Sequence, residues 1–469
     1  MSSLQLNARR LGQIPELVAL ILDFLFLETP TLLSCTRVNR LWAGGAVSSL
    51  WYRVGHIHAS YEPPLPPQYR APQVQHLAAL ADDAIRIQRY ANCVRELTFS
   101  GFRRVSDSQY HSRFMGVRFP RLERFVLEQS EWNRPELLHQ YLHPNLKQYN
   151  HFGSLGSNKS LKILANRCPS LEEISLDGND DHIIEQGLIE FLQTATSLRR
   201  VAFYGRHSDS FAEKVLEPLA VHPHLSEMKG LDLPESWLEK IHSRNVEIFP
   251  SLSKLSASLT ENGLRLLTDR TTGLTHLDAA IDGPNMEALE LCTRLKSLKS
   301  LELVLSGAIH AENLLALASS CKLLESLRLA DVAADMRPPP KIDDAFVNQF
   351  TTKLSKLETL VLHLRLPHLT TSSLLSFGKN CKRMQKLVIE GKFWLEDLPA
   401  QDTNGEVIFP ELKTLALSFT GYDDHKIPSV SQALRRLEEL APKLVDFNYL
   451  TSNKDYRHLT AEWKRLQEN

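Results

Sequence analysis

The chain has 469 residues, with 54 basic and 55 acidic side chains and a net charge of −1. That is length enough for two to three ordinary domains or for one small domain and an elongated array. The balanced charge leaves no basic footprint for a phosphate backbone or an anionic membrane, so neither nucleic acid nor a membrane is an expected partner.

The first patterned stretch is residues 14–54. Its apolar residues fall in three pieces, each at the three-to-four spacing of a one-faced helix and each followed by a turn signal. Pro15 suits the first turn of a helix carrying Leu17, Val18, Ile21, Leu22 and Leu25. Pro30 ends the next loop and Thr31 is placed to cap a second helix with Leu32, Leu33 and Cys35. Val38, Leu41 and Trp42 carry the apolar face on to a break at Gly44-Gly45, and Leu50-Trp51 closes the module. About forty residues bury little surface of their own, so these large apolar side chains call for a partner, most simply another helix.

In these residues the stretch resembles an F-box. The opening is Ile14-Pro15-Glu16-Leu17, the middle motif runs from Leu32 through Val38 to Trp42, and the ending is Leu50-Trp51. The turn over residues 26–31 is longer than the family norm, and Asn39 stands where many members carry Cys. The resemblance implies docking on a Skp-type adaptor, and through it on a cullin-RING ubiquitin ligase. It assigns adaptor binding to Ile14, Pro15, Leu17, Ile21, Leu32, Val38, Trp42, Leu50 and Trp51. The other reading is that these helices cap a larger domain.

Residues 61–72 hold five prolines, a composition that makes a stiff spacer. The expected organisation is therefore a helical module over 10–55, a Pro-rich linker over 56–73, and a repeat array over 74–469 that starts with one helical lead-in at 74–91. From Val94-Leu97-Phe99 onward the phrase L-x-x-L-x-L recurs, as in Leu171/Ile174/Leu176, Leu298/Leu301/Leu303 and Leu357/Leu360/Leu362. The copy at Leu225/Met228 is blurred by Gly230. First leucines lie 22 to 33 residues apart, room for one strand and one helix per repeat. Helix-like pieces separate them at 183–194, 211–220, 262–269, 286–294, 311–320, 345–353 and 372–379. A proline just before many phrases, as in Cys168-Pro169 and His222-Pro223, marks the helix-to-strand corner.

This part resembles the cysteine-containing leucine-rich repeats of F-box proteins, with fungal members nearest in flavour. The expected fold class is α/β: a leucine-rich-repeat solenoid, or horseshoe, preceded by a small three-helix F-box-like module. About fourteen stacked repeats share one core, since one repeat alone cannot bury its apolar face. Residues 336–340 and 391–407, the latter with Trp394, read as protruding loops.

The six cysteines are scattered and never form C-x-x-C, which points to buried thiols in a reducing compartment, so an intracellular location in cytoplasm or nucleus is expected. Cys168, Cys321 and Cys381 share one repeat slot and read as packing residues. Asp177, Asn179 and Asp181 have calcium-loop spacing, but His182 replaces the needed glycine and Leu188 the final acid. With no H-E-x-x-H and no G-x-S-x-G either, the expectation is no catalytic residue, no metal and no cofactor.

In L-x-x-L-x-L the leucines face the core, so the intervening residues face the opposite, concave side. Early repeats place Glu96, Arg124, Glu128, Gln148, Asn150, Phe152, Glu173, Asp177, Arg200, Tyr204 and Lys229 there. Later ones place Asp278, Glu302, Arg328, Val361, His363, Lys386, Val388 and Glu390. Aromatic and Arg residues are the usual anchors of a protein partner, which selects Arg124, Asn150, Phe152, Arg200, Tyr204, Arg328 and His363 as the target-binding set. The function expected is the substrate-recognition subunit of a Skp-cullin-F-box type ubiquitin ligase, not itself an enzyme. The alternative is a leucine-rich-repeat scaffold without a ligase role.

Overall fold

Strand-forming phrases with a period of two, alternating with amphipathic helices, have one economical arrangement: a parallel sheet with helices on one side. The computed structural model has this α/β architecture. It describes residues 14–26, 28–55, 71–100, 107–128, 135–152, 158–177, 185–204, 213–243, 248–283, 287–332, 339–395, 407–419, 430–450 and 457–468. The chain divides into two compact units, Met1–Leu225 and Ser226–Asn469.

The first unit opens with helices Pro15–Phe24, Thr29–Cys35 and Arg40–Leu50. Pro15 and Pro30 both sit in a first helical turn, where a missing N–H costs nothing. The second helix thus starts before Thr31, which is not its cap, and the linking turn is shorter than the sequence implied. Asn39 caps the third helix, its Oδ1 accepting from the N–H groups of Leu41 and Trp42 at 2.9 and 3.0 Å. That helix runs straight through Gly44-Gly45 rather than breaking there. The second glycine is a contact residue, since a Cβ on Gly45 would lie 2.5 Å from Leu22 Cδ1. Val18, Leu22, Leu32, Cys35 and Ala46 form the module's own core, with Leu25, Leu41, Trp42 and Leu50 packed against it.

The module does not end at Trp51. Residues Arg53–Val54 form β1, which pairs in parallel with β2 (Glu96–Phe99) and bonds Arg53 to Glu96 at 2.7 Å. Gly55 follows with φ +83°, where a Cβ would strike the Thr98 carbonyl oxygen at 2.0 Å. Trp51 packs on Tyr90 with ring centroids 4.6 Å apart. Tyr90 belongs to the lead-in, which is two helices, Val74–Ala78 and Ala84–Ala91, and not the single one expected. The Asp83 carboxylate accepts from Arg86 N–H at 2.9 Å and starts the second helix afresh.

Strands β3 (Arg124–Glu128), β4 (Gln148–Phe152), β5 (Glu173–Asp177) and β6 (Arg200–Tyr204) continue the first unit's parallel sheet. Core residues align across it as Leu97, Phe125, Tyr149, Ile174 and Val201. The early repeats lean on aromatic rings: Tyr141 stacks on Phe125 at 4.6 Å and shares a 3.0 Å hydrogen bond with His111 Nδ1.

The second unit carries β7 (Glu227–Asp232), β8 (Lys254–Thr260), β9 (His276–Asp282), β10 (Ser300–Leu305), β11 (Ser326–Asp331), β12 (Thr359–His363), β13 (Lys386–Gly391), β14 (Thr414–Phe419) and β15 (Asp446–Leu450), all parallel and in sequence order. Leu255, Leu277, Leu301, Leu327, Leu360, Leu387, Leu415 and Phe447 stay in one register row. The blurred repeat is a bulge. Register slips between Met228 and Leu231, so Leu231, fully buried, takes the core position that Gly230 cannot fill.

Predicted helices match within a few residues, from Ala311–Ser320 to Thr371–Asn380, while Asn158–Arg167, Glu235–Ser243, Val430–Leu440 and Arg457–Glu468 were not anticipated. The last lies against β15 with Trp463 buried, its indole N–H donating to Val445 O at 3.3 Å. Trp394 does not protrude. Its backbone N–H donates to Thr371 Oγ1 at 2.9 Å, and neighbouring Phe393 and Leu395 are buried. The rest of that segment, 396–406, and residues 336–338 lie outside the described residues, as do Asn179, Asp181 and His182.

The recurring slot before each strand ties adjacent repeats together. The Cys321 thiol donates to the carbonyls of Cys292 and Leu295 at 3.6 Å, and Cys381 to that of Leu354 at 3.5 Å. His222 Nε2 lies 3.1 Å from the Ala195 carbonyl in the same way. Each side chain reaches a carbonyl at or just past the end of the previous repeat's helix, a carbonyl that also accepts the backbone N–H three residues on, so the contact adds a tie between repeats. Burial pushes the Cys168 and Cys381 thiols up to about 12 and Cys321 to about 11, so they are packing groups and poor nucleophiles.

Candidate interaction surfaces

The first surface lies on the helical module. Among the described residues, fourteen large apolar side chains are exposed, and seven of them lie between Ile14 and Val38, so the apolar surface is concentrated there. At 100° per residue, Ile14, Leu17, Leu20, Ile21 and Phe24 share one flank of the first helix, next to the stripe of Val18, Leu22 and Leu25 that faces the module's core. Phe24 is 89 % exposed and Leu20 68 %. Leu33 and Val38 add apolar surface from the second helix and the turn after it.

The residues assigned to the adaptor therefore separate. Ile14, Pro15, Ile21 and Val38 are exposed, and Leu17 is half-buried. Leu32 is fully buried, because its side chain is needed to hold the three helices together, and it has no free face for a partner. Trp42 and Leu50 pack on the same core, and Trp51 is half-buried against Tyr90. Leu20, Phe24 and Leu33 were missed. The i, i+4 pair Leu20 and Phe24, outside the buried stripe, was the available signal.

The second surface is the strand face turned away from the helices. In the first unit this face is closed. Its central row, Thr98, Val126, Asn150, Ser175 and Ala202, is buried throughout. Glu128 is buried as well, and Phe152 packs with Val126 and Tyr204 in a small cluster of its own. Asn150 and Phe152, expected to contact a target, are thus interior groups, because strand alternation predicts a side chain's direction but not what covers it. Arg124 is mostly buried beside Glu96 at 3.6 Å. Arg200 is exposed but ion-paired with Glu173, and Tyr204 is half-buried.

In the second unit the same face is more open, although Val361 on β12 is buried there too. Strands β8, β9, β10 and β13 alternate buried core residues with partly or fully exposed ones. Arg328 lies 3.8 Å from Glu302 across two neighbouring strands, and His363 is exposed. Asp278 accepts a 2.8 Å hydrogen bond from Ser256 Oγ.

Among the described residues, no group of three or more His, Cys, Asp or Glu side chains is arranged to hold a metal ion. No helix among them is long and apolar enough to cross a membrane.

No protein-family model matches the chain, and no curated protein does. Some solved structures resemble it at low similarity. A chain of the yeast Rad7–Elc1 complex is 15 % identical with a TM-score of 0.42, over 82 % of this chain and 86 % of that one. The leucine-rich-repeat protein LegL7 of Legionella pneumophila is 14 % identical with a TM-score of 0.34, over 68 % and 97 %. A chain of the TLR13–ssRNA13 complex is 15 % identical at 0.36, over 88 % and 54 %. The class is set by the molecule's own geometry: leucine-phrase strands in one parallel register, a helix after most of them, and side chains bridging repeat to repeat. This is a leucine-rich-repeat fold.

Proposed function

We propose that this chain is the substrate-recognition subunit of a Skp-cullin-F-box type ubiquitin ligase, a non-enzymatic receptor. Its three-helix module holds a Skp-type adaptor and its repeats hold a target protein. The observation that carries the reading is the exposed apolar flank of the first helix, Ile14 to Phe24, on a module whose core is already filled. Burying side chains such as Leu20 and Phe24 against a partner helix is worth roughly 1.5–3 kcal/mol each. The test is calorimetric titration of the full chain with a Skp-type adaptor. A well-folded protein that gives no binding heat, and no co-purification, sinks the proposal.

One observation favours a second reading, a scaffold whose helices merely cap the repeats. Strand β1 and the Trp51–Tyr90 contact fasten the module to the first repeat. A cap without a partner would tolerate polar residues at positions 20 and 24. Substituting both with Asp then distinguishes the readings, because only the receptor loses a binding activity.

A further inference from the structure

The loops that follow β10, β11 and β12 in the second unit line a cavity of about 370 Å³. Sites that hold a ligand have roughly 300–1,000 Å³, so this one is large enough. It lies past the carboxyl ends of the strands and is separate from their open face. Ile309 and Leu364 on its lining are buried, and Pro339 and Pro340 are half-buried. Two successive prolines make that wall stiff and give a ligand no N–H to bond.

Charged groups reach the cavity from all three repeats. Glu312 comes from the helix after β10, Lys341 from the loop after β11 and Arg365 from the loop after β12. All three are exposed, and none makes a hydrogen bond or ion pair among the described residues. Asp331, also on the lining, is half-buried and already has a partner. Strands β10 and β12 are two spacings apart, about 10 Å, so the free acid and the free guanidinium enter from opposite sides.

Two unpaired cations suit a carboxylate, which accepts charge-assisted hydrogen bonds from both. Lys341 and Arg365 are balanced by Glu312 and Asp331, which counts against a multiply charged anion such as phosphate. Each cation also follows an apolar lining residue in sequence, as Pro340-Lys341 and Leu364-Arg365. The matching ligand therefore carries its carboxylate close beside an apolar group. At the carboxyl end of a polypeptide the two leave the same Cα.

We propose that this cavity captures the carboxyl terminus of a target protein. The terminal carboxylate lies between Lys341 and Arg365, and an apolar last side chain rests on Pro339 and Pro340. The inference rests on the receptor reading above and names the part of the target that the receptor grips.

The experiment uses the full chain as bait for a library of random peptides displayed with free carboxyl ends. Enriched peptides are expected to end in an apolar residue. Hydrogen bonds to a charged group are worth about ten- to hundredfold in affinity. A selected peptide remade with a carboxyl-terminal amide should therefore bind at least about tenfold more weakly, and so should the free acid to Lys341→Ala/Arg365→Ala. Inorganic phosphate should not displace it, and Arg121→Ala in the first unit should leave its affinity unchanged. The replaced side chains are exposed, so each variant should melt with the parent. The amide comparison uses the unaltered protein and depends on no variant's folding. The proposal is overturned if no peptide is enriched, if the amide binds as tightly as the acid, if an internal acidic residue replaces the terminus, if phosphate competes, or if the double variant keeps its affinity. Adaptor titration on the same protein is read separately: its failure removes the ligase reading and leaves the peptide result standing.

Discussion

Phe152 and Tyr204 meet edge to face, their ring centroids 5.5 Å apart and their planes at 68°. The two residues stand on β4 and β6, with β5 between them, and Val126 on β3 completes the cluster. These rings hold the strand face closed. Phe152→Ala should therefore lower the unfolding free energy by ~3–5 kcal/mol, and Tyr204→Ala should forfeit the ring-pair term of ~0.5–1.5 kcal/mol besides its buried area. Urea denaturation of the two variants checks this. A Phe152→Ala protein as stable as the parent would show that the cluster is a ligand surface after all.

On the helical module, exposure and burial make opposite predictions for neighbouring leucines. Leu20→Asp with Phe24→Asp should abolish adaptor binding and leave the melting curve nearly unchanged. Leu32→Ala should instead cost ~2–5 kcal/mol of stability, and reduce binding only as far as the module unfolds. Titration and thermal denaturation of the same two proteins separate the effects.

His151 gives the first unit a pH dependence. Its ring is buried at a leucine position of β4, neither nitrogen has a hydrogen-bond partner, and burial lowers its pKa from 6.5 to about 4. The unfolded chain then binds the proton more readily than the folded one. The stability conferred by a neutral ring is fully present above about pH 6.5 and is lost as the pH falls toward 4, amounting to about 3 kcal/mol across that window. His151→Leu restores the repeat's usual residue and should flatten the slope. Denaturant midpoints at pH 7 and pH 5 measure it, and an unchanged pH slope would contradict the assignment.

Of the six cysteines only Cys93 is not buried. Alkylation of the native protein should modify that thiol first, whereas Cys168, Cys321 and Cys381 should react only after unfolding, their burial having raised their pKa values. Mass spectrometry of tryptic peptides after short exposure to iodoacetamide reads this directly. Cys381→Ser should keep the bond to the Leu354 carbonyl, and Cys381→Ala should lose about 1 kcal/mol.

The repeat architecture was legible in the sequence because periodicity is a local property. Leu298, Leu301 and Leu303 are buried by their spacing alone, and the same spacing repeated along the chain sets the strands in register. Helix existence followed from the same pattern, as did the inert role of Cys321 and Cys381.

Which intervening residues remain available to a partner was decided only by the tertiary structure. Alternation sends Asn150 and Asp278 to the same side of their strands, yet one is 3 % exposed and the other open to solvent. The strand period is the same at both, because alternation sets a side chain's direction, while exposure depends on neighbours brought from other strands, such as Val126 and Tyr204 around Phe152. Leu32 and Phe24 teach the same lesson on the module: both are large and apolar at helical spacing, and only the packing of three helices determines that the first is core and the second surface. Strand β1 shows it most simply. Arg53-Val54 is too short to declare itself, and it becomes a strand because Glu96, 43 residues farther on, supplies its hydrogen-bonded neighbour and its counter-charge.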